Sequence, residues 1–188
     1  MKQSDIIKQL SDRELTQQLI LSQLLIATTA FILSFFLFGS LSDWFHYFKW
    51  DTHDFFVYGF IPATVIVAFD LIIIRVFPKK HYDDGGINER IFKNRSVLYI
   101  GTISLFVAVA EELLFRGAIQ TTFGYFIASL VFALIHIRYL RKPVLLASVL
   151  LTSFFIGYLF EITENLNVTI TTHFFVDFLL GLFIRFKK

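Results

Sequence analysis

The sequence contains no cysteine in its 188 residues, which excludes disulfides, thiolate metal ligands and a cysteine nucleophile. It is also poor in charge. Asp, Glu, Lys and Arg make up 17% of the chain, against about 25% in an ordinary soluble domain. The formal net charge is only +2, and the bases are scattered rather than gathered in a stripe, so nucleic acid is excluded as a partner. Internal repeats and low-complexity segments are absent, which removes solenoids and arrays from consideration.

Apolar side chains are abundant. They make up 56% of the chain, 25 of them Phe, and they come in long runs. A membrane-crossing helix needs roughly 20 mainly apolar residues. Six segments approach that length, at about 19–39, 56–77, 97–121, 124–140, 143–160 and 167–185. The first run is too long for the apolar part of a signal peptide, and no small-residue cleavage pattern follows it. The fold class predicted is therefore an all-α integral membrane protein, a bundle of about six transmembrane helices in one domain over 1–188. Residues 1–96 hold two spans and a polar connector at 78–96, and residues 97–188 hold the rest. Residues 1–18 are polar, with Ile6, Ile7 and Leu10 at helical spacing, and suit a short surface helix. Ser11 and Glu14 fit a capping box that starts the helix running into the first span.

Lys and Arg alternate along this order. Lys2, Lys8 and Arg13 precede the first span, six bases from Arg75 to Arg95 follow the second, and Arg138, Arg141 and Lys142 follow the fourth. Arg185, Lys187 and Lys188 close the chain, while the intervening loops hold one base or none. The positive-inside rule then places a multi-pass protein in the cell membrane with both termini cytoplasmic. Trp44, Tyr47 and Trp50 suit an interfacial aromatic belt.

Several ionisable residues interrupt the apolar runs: Asp70, Glu111, Glu112, Arg116, His136, His173 and Asp177. A charged residue at the middle of a span costs about 2.5–3.5 kcal/mol on insertion scales, and such residues face a bundle interior or a wet cavity. Glu112 and Arg116 are four apart and share a helix face, so they read as a structural ion pair. Glu111 lies about 100° round the helix and is left for chemistry. His173 and Asp177 are also four apart, and Phe132 stands one turn before His136. If residues 97–140 form a hairpin turning near Gly124, Glu111 and His136 both lie about 19 Å from the turn and meet at one depth. Asp70 precedes Arg75 by five residues near a span end and reads as an interfacial pair. His46, His53 and His81 fall in polar loops. The remaining carboxylates and imidazoles suit general base and oxyanion chemistry. They also suit metal ligation and a proton relay.

The motifs Glu111-Glu112-x-x-x-Arg116, Phe132-x-x-x-His136 and His173-x-x-x-Asp177, in that order on separate apolar helices, resemble those of the CPBP (Abi) family of CAAX-protease and bacteriocin-processing intramembrane proteases. The resemblance covers about 97–185. It implies a helical bundle with a polar intramembrane cavity. It also implies an intramembrane endopeptidase acting on a membrane-associated protein or peptide. Glu111 and His136 would activate water, while His173 and Asp177 would support the oxyanion, and Glu112, Arg116 and Phe132 would hold the site. Asp177 departs from the family's commoner Asn. An ionised Asp donates no hydrogen bond, so Asp177 either orients His173 or is protonated. No metal or other cofactor is assigned. In a metalloprotease reading, zinc would sit on Glu111, His136, His173 and Asp177. Two other readings are a non-catalytic immunity or scaffold protein of the same family, and a small proton or ion carrier.

Overall fold

The computed structural model describes residues 9–38 and 41–187. Most of the expected surface helix, including Ile6, Ile7, Lys2 and Lys8, lies outside the described residues, as does Lys188. Among the described residues there is no strand. The chain runs through α1 (Asp12–Leu37), α2 (Thr52–Val76), α3 (Ile87–Phe92), α4 (Val97–Phe123), α5 (Tyr125–Ile135), α6 (Pro143–Thr163) and α7 (Leu166–Phe186). Five of these (α1, α2, α4, α6 and α7) are long and apolar enough to cross a membrane.

The bundle carries its apolar groups outward. Leu25, Phe35, Phe36 and Leu98 are 68–80% exposed. Gln23, Ser104, Glu111, Glu112, Arg116, Ser129, Ser153 and Thr172 are buried. That inversion suits a solvent of lipid, in which polar groups must find partners inside the protein. Small residues let the helices approach closely. A Cβ on Gly59 of α2 would sit 2.8 Å from Thr171 of α7, and one on Gly157 of α6 would sit 2.7 Å from Ser129 of α5.

α1 begins with the expected capping box. The Glu14 backbone N–H donates to Ser11 Oγ, and the Ser11 N–H donates to Glu14 Oε2. Residues 12–18 are thus the first turns of the spanning helix. α4 and α5 form the expected hairpin, turned by Gly124 at φ +87°, a backbone region that glycine enters freely. The hairpin closes on Phe115 against Phe132, with ring centroids 4.9 Å apart. Directly after Glu112 the winding of α4 widens to a π-helix over Leu113–Gln120, an irregularity often found at functional sites.

The structure revises three expectations. The fourth span, expected over 124–140, is a helix of 11 residues, about 16 Å long. It ends because the His136 side chain replaces a backbone donor: His136 Nδ1 lies 2.8 Å from the Phe132 carbonyl, while the His136 N–H turns to Ala133. Trp44 does not stand in an interfacial belt with Trp50. It is buried in the main apolar core, packed on Phe31, whereas Trp50 is 88% exposed. Asp70 does not pair with Arg75 either. Its Oδ1 accepts a 2.5 Å hydrogen bond from Ser148 of α6.

The 78–96 connector is folded. Asp84 accepts from the N–H groups of Gly86 and Asn88, and α3 buries Ile87 and Ile91 against Leu15 of α1. Both N-terminal spans pack on the rest of the bundle, α1 against α4 and α2 against α7.

Candidate active site

α4 brings two adjacent carboxylates to the centre of the bundle, and their surroundings differ. Glu112 is fully buried. Its Oε1 accepts from Arg116 Nη1 at 3.1 Å and lies 2.8 Å from His173 Nδ1. The intended partner one turn on is thus met, and His173 of α7 is a second. The Arg116 guanidinium is held in turn by α6, with Nη2 donating to the Ser153 carbonyl at 2.8 Å and to Ser153 Oγ at 3.2 Å. Its Cζ stands 4.7 Å from the centroid of the Phe132 ring, within cation–π range. Ser153 Oγ donates to the Ser129 carbonyl of α5. One buried charge therefore ties α4, α5, α6 and α7 together through Glu112 Oε1 and the two terminal nitrogens of Arg116, while Glu112 Oε2 and Arg116 Nε have no hydrogen-bond partner among the described residues.

Glu111 is also buried and, like Glu112, is hydrogen-bonded through one oxygen, but its partner there is neutral. Its Oε1 accepts a 2.9 Å hydrogen bond from Gln23 Nε2 of α1. Its Oε2 has no protein partner and lies 4.0 Å from His173 Nε2. That nitrogen is also 3.7 Å from Asp177 Oδ2. Both separations exceed a hydrogen bond. The three atoms face one another without direct bonds.

The hydrogen-bond partners set the imidazole protons, since those positions follow from the network. A carboxylate and a carbonyl accept only. His173 Nδ1 therefore carries a proton toward Glu112, and His136 Nδ1 carries one toward the Phe132 carbonyl. His136 Nε2 is left for other partners. His136 and Glu111 share no hydrogen bond among the described residues. The Phe132 ring connects the two imidazoles, with its centroid 5.0 Å from His136 and 5.8 Å from His173. His136 also stacks on Tyr139, and the Arg138 guanidinium bonds Tyr139 Oη at 2.7 Å and Asn88 at 3.3 Å. Asp177 is more open than the two glutamates and His173, its side chain 33% exposed.

Sequence reasoning missed Gln23 and Ser153. Both are neutral polar residues within apolar runs, LILSQLLIA and LLTSFFIG. Their one visible signal was polarity at the depth of the charges. Asn165 was missed as well. Its side chain exchanges hydrogen bonds with the Lys49 backbone and so staples the loop before α2 to the start of α7.

Two cavities lie elsewhere. One, of about 390 Å³, is bounded by Asp70, Ile74, Asp84, Leu145, Ser148 and Phe183. The other, of about 360 Å³, lies between Trp50, Phe55 and Thr171. Neither is lined by Glu111, His136, His173 or Asp177. Asp51, His53 and Asp54 bring three possible metal donors together at the start of α2. The cluster is mostly exposed, and among the described residues its side chains have only their own internal hydrogen bonds.

Comparison with known proteins agrees with the motif pattern. A family model described as "Type II CAAX prenyl endopeptidase Rce1-like" matches residues 93–179. A Bacillus subtilis (strain 168) protein named "Uncharacterized protein YpbD" is 40% identical over 169 residues, covering 89% of this chain and 88% of the relative. No solved structure matches.

Proposed function

We propose, for a chain that belongs to the Rce1-like family of type II CAAX prenyl endopeptidases, that it hydrolyses a peptide bond of a membrane-associated protein or peptide with Glu111 as the base. The observation that carries this reading is a buried Glu111 carboxylate held by one neutral amide, with its Oε2 facing His173 Nε2 across 4.0 Å. Peptide hydrolysis needs a group to take a proton from water and donors where negative charge develops on the carbonyl oxygen. Glu111 Oε2 takes the proton, and His136, through its free Nε2, assists in orienting the water. His173 carries the oxyanion side. With Nδ1–H already given to Glu112, it donates from Nε2 when that nitrogen is protonated as well. Asp177, close to the same nitrogen, orients His173 and stabilises that protonated form. Glu112 and Arg116 hold the imidazole in place and take no part in proton transfer.

The family resemblance and the multi-pass helical fold support a lipid bilayer as surroundings and a peptide as substrate. The Lys and Arg alternation supports cytoplasmic termini. In this reading the reaction uses no metal. Zinc is the competing possibility, because Glu111 Oε2, His173 Nε2, Asp177 and His136 Nε2 are the donor types it takes. On those residues it would polarise the scissile carbonyl and activate water.

The test compares new protein termini in membranes of cells carrying wild-type protein or Glu111→Gln at equal levels. The expected result is a set of cleavages present with the wild type and lost with Glu111→Gln. Identical termini in both would overturn the proteolytic reading in favour of a non-catalytic membrane protein. Proton flux through the purified protein in liposomes would favour a carrier instead.

A further inference from the structure

Resting on the reading of Glu111 as the base, we infer that Gln23 of α1 is a positioning residue for that base. The site then extends to a helix outside the 93–179 segment that the family model matches.

Gln23 is 4% exposed, in the middle of a helix whose neighbouring side chains Leu21, Leu24 and Leu25 are 49–68% exposed. Its amide nitrogen makes one side-chain bond, 2.9 Å to Glu111 Oε1, across 88 residues of sequence. That bond divides the work of the carboxylate. Oε1 is engaged by a neutral donor, while Oε2 is left without a protein partner on the side of His173. Were Oε1 free, the carboxylate would rotate about its terminal torsion, which is broad and roughly two-fold. Either oxygen would then face the reacting water part of the time. A charged donor in place of Gln23 would pair with the carboxylate as Arg116 does with Glu112 and would occupy the base. An amide fixes the orientation and leaves the charge available. The same amide carries α1 into the site. α1 also packs along α4, burying Ala30 against the cluster that contains Leu113, Leu114 and Phe115.

The test uses the full-length protein in liposomes, with a peptide spanning a cleavage site found in the membrane comparison above. Gln23→Met keeps the length and volume of the side chain and removes the donor. We expect kcat to fall by up to about 10²-fold, the cost of misplacing a reacting group by about 1 Å. KM should stay at its wild-type value, and the thermal midpoint should fall by no more than the loss of one buried hydrogen bond brings. Gln23→His, which restores an N–H donor, should recover part of the lost kcat. A merely structural Gln23 would lower the midpoint or yield without changing kcat per folded molecule. That outcome, or wild-type kcat in Gln23→Met, overturns the inference. Glu111→Gln separates the two levels of the argument. If Glu111→Gln is inactive and Gln23→Met is not impaired, only the role of Gln23 falls. If Glu111→Gln still cleaves, the role of Glu111 falls and that of Gln23 with it.

Discussion

The two faces of α4 at Glu111 and Glu112 hold the same functional group one residue apart, both buried, one with a neutral partner and one with charged ones. On the Glu112 face a guanidinium and an imidazole meet the carboxylate, and three further helices hold them. On the Glu111 face one neutral amide meets one oxygen, and the other oxygen faces a half-closed group of polar atoms. A carboxylate whose one oxygen is shared by a guanidinium and an imidazole is an anchor, because moving its proton or its charge would break the network. A carboxylate held by a single neutral donor is fixed in place and still able to react. The difference comes from which helices each face meets.

Four changes break or sharpen this contrast. Glu111→Gln is nearly isosteric and should lower the cleavage rate by about 10²–10⁴-fold, the range a general base supplies, with the thermal midpoint in detergent little changed. Arg116→Met should do the reverse. It leaves Glu112 buried without its cation, and removing one member of a buried pair costs about 3–5 kcal/mol. Loss of folded protein, read by yield and melting, should precede any change in catalysis per folded molecule. Ser153→Ala removes the hydroxyl behind Arg116 but leaves the Ser153 carbonyl bonded to it. A loss of about 1 kcal/mol is expected, read as a lower midpoint with activity retained. Asp70→Asn keeps an acceptor for Ser148 outside the site, and neither cleavage nor midpoint should change measurably. Chelation of divalent metals completes the set. Full activity in its presence is the expected outcome, and loss restored by zinc would transfer Glu111 to the role of ligand.

The intramembrane charges were legible in the sequence because their cost in lipid marks them wherever they fall. The i,i+4 spacing joined Glu112 to Arg116 because a helix places those positions on one face. The hairpin was legible from Gly124 and from equal distances on either side of it. The end of α5 was not legible. Ile137, Tyr139 and Leu140 continue the apolar run, and only the backbone reveals that His136 takes the Phe132 carbonyl and stops the helix. Trp44 was misplaced for a related reason. Its composition suits a membrane interface, but the loop folds inward and delivers it to the core. Asp70 had a basic residue nearby in sequence, and helix packing offered Ser148 instead.

By itself the sequence determined the solvent, the helical class, the family motifs and the residues whose charges need shelter. These follow from composition and from spacing within single helices, which are local properties. The division between Glu111 and Glu112 begins with the spacing that pairs Glu112 with Arg116, and the tertiary structure alone decided the partners that complete it. That division depends on Gln23, Ser153 and His173, which lie 88, 37 and 61 residues from their partners. Neutral polar side chains leave no mark of cost in a sequence, and they take on meaning only where helix packing sets them against a charge.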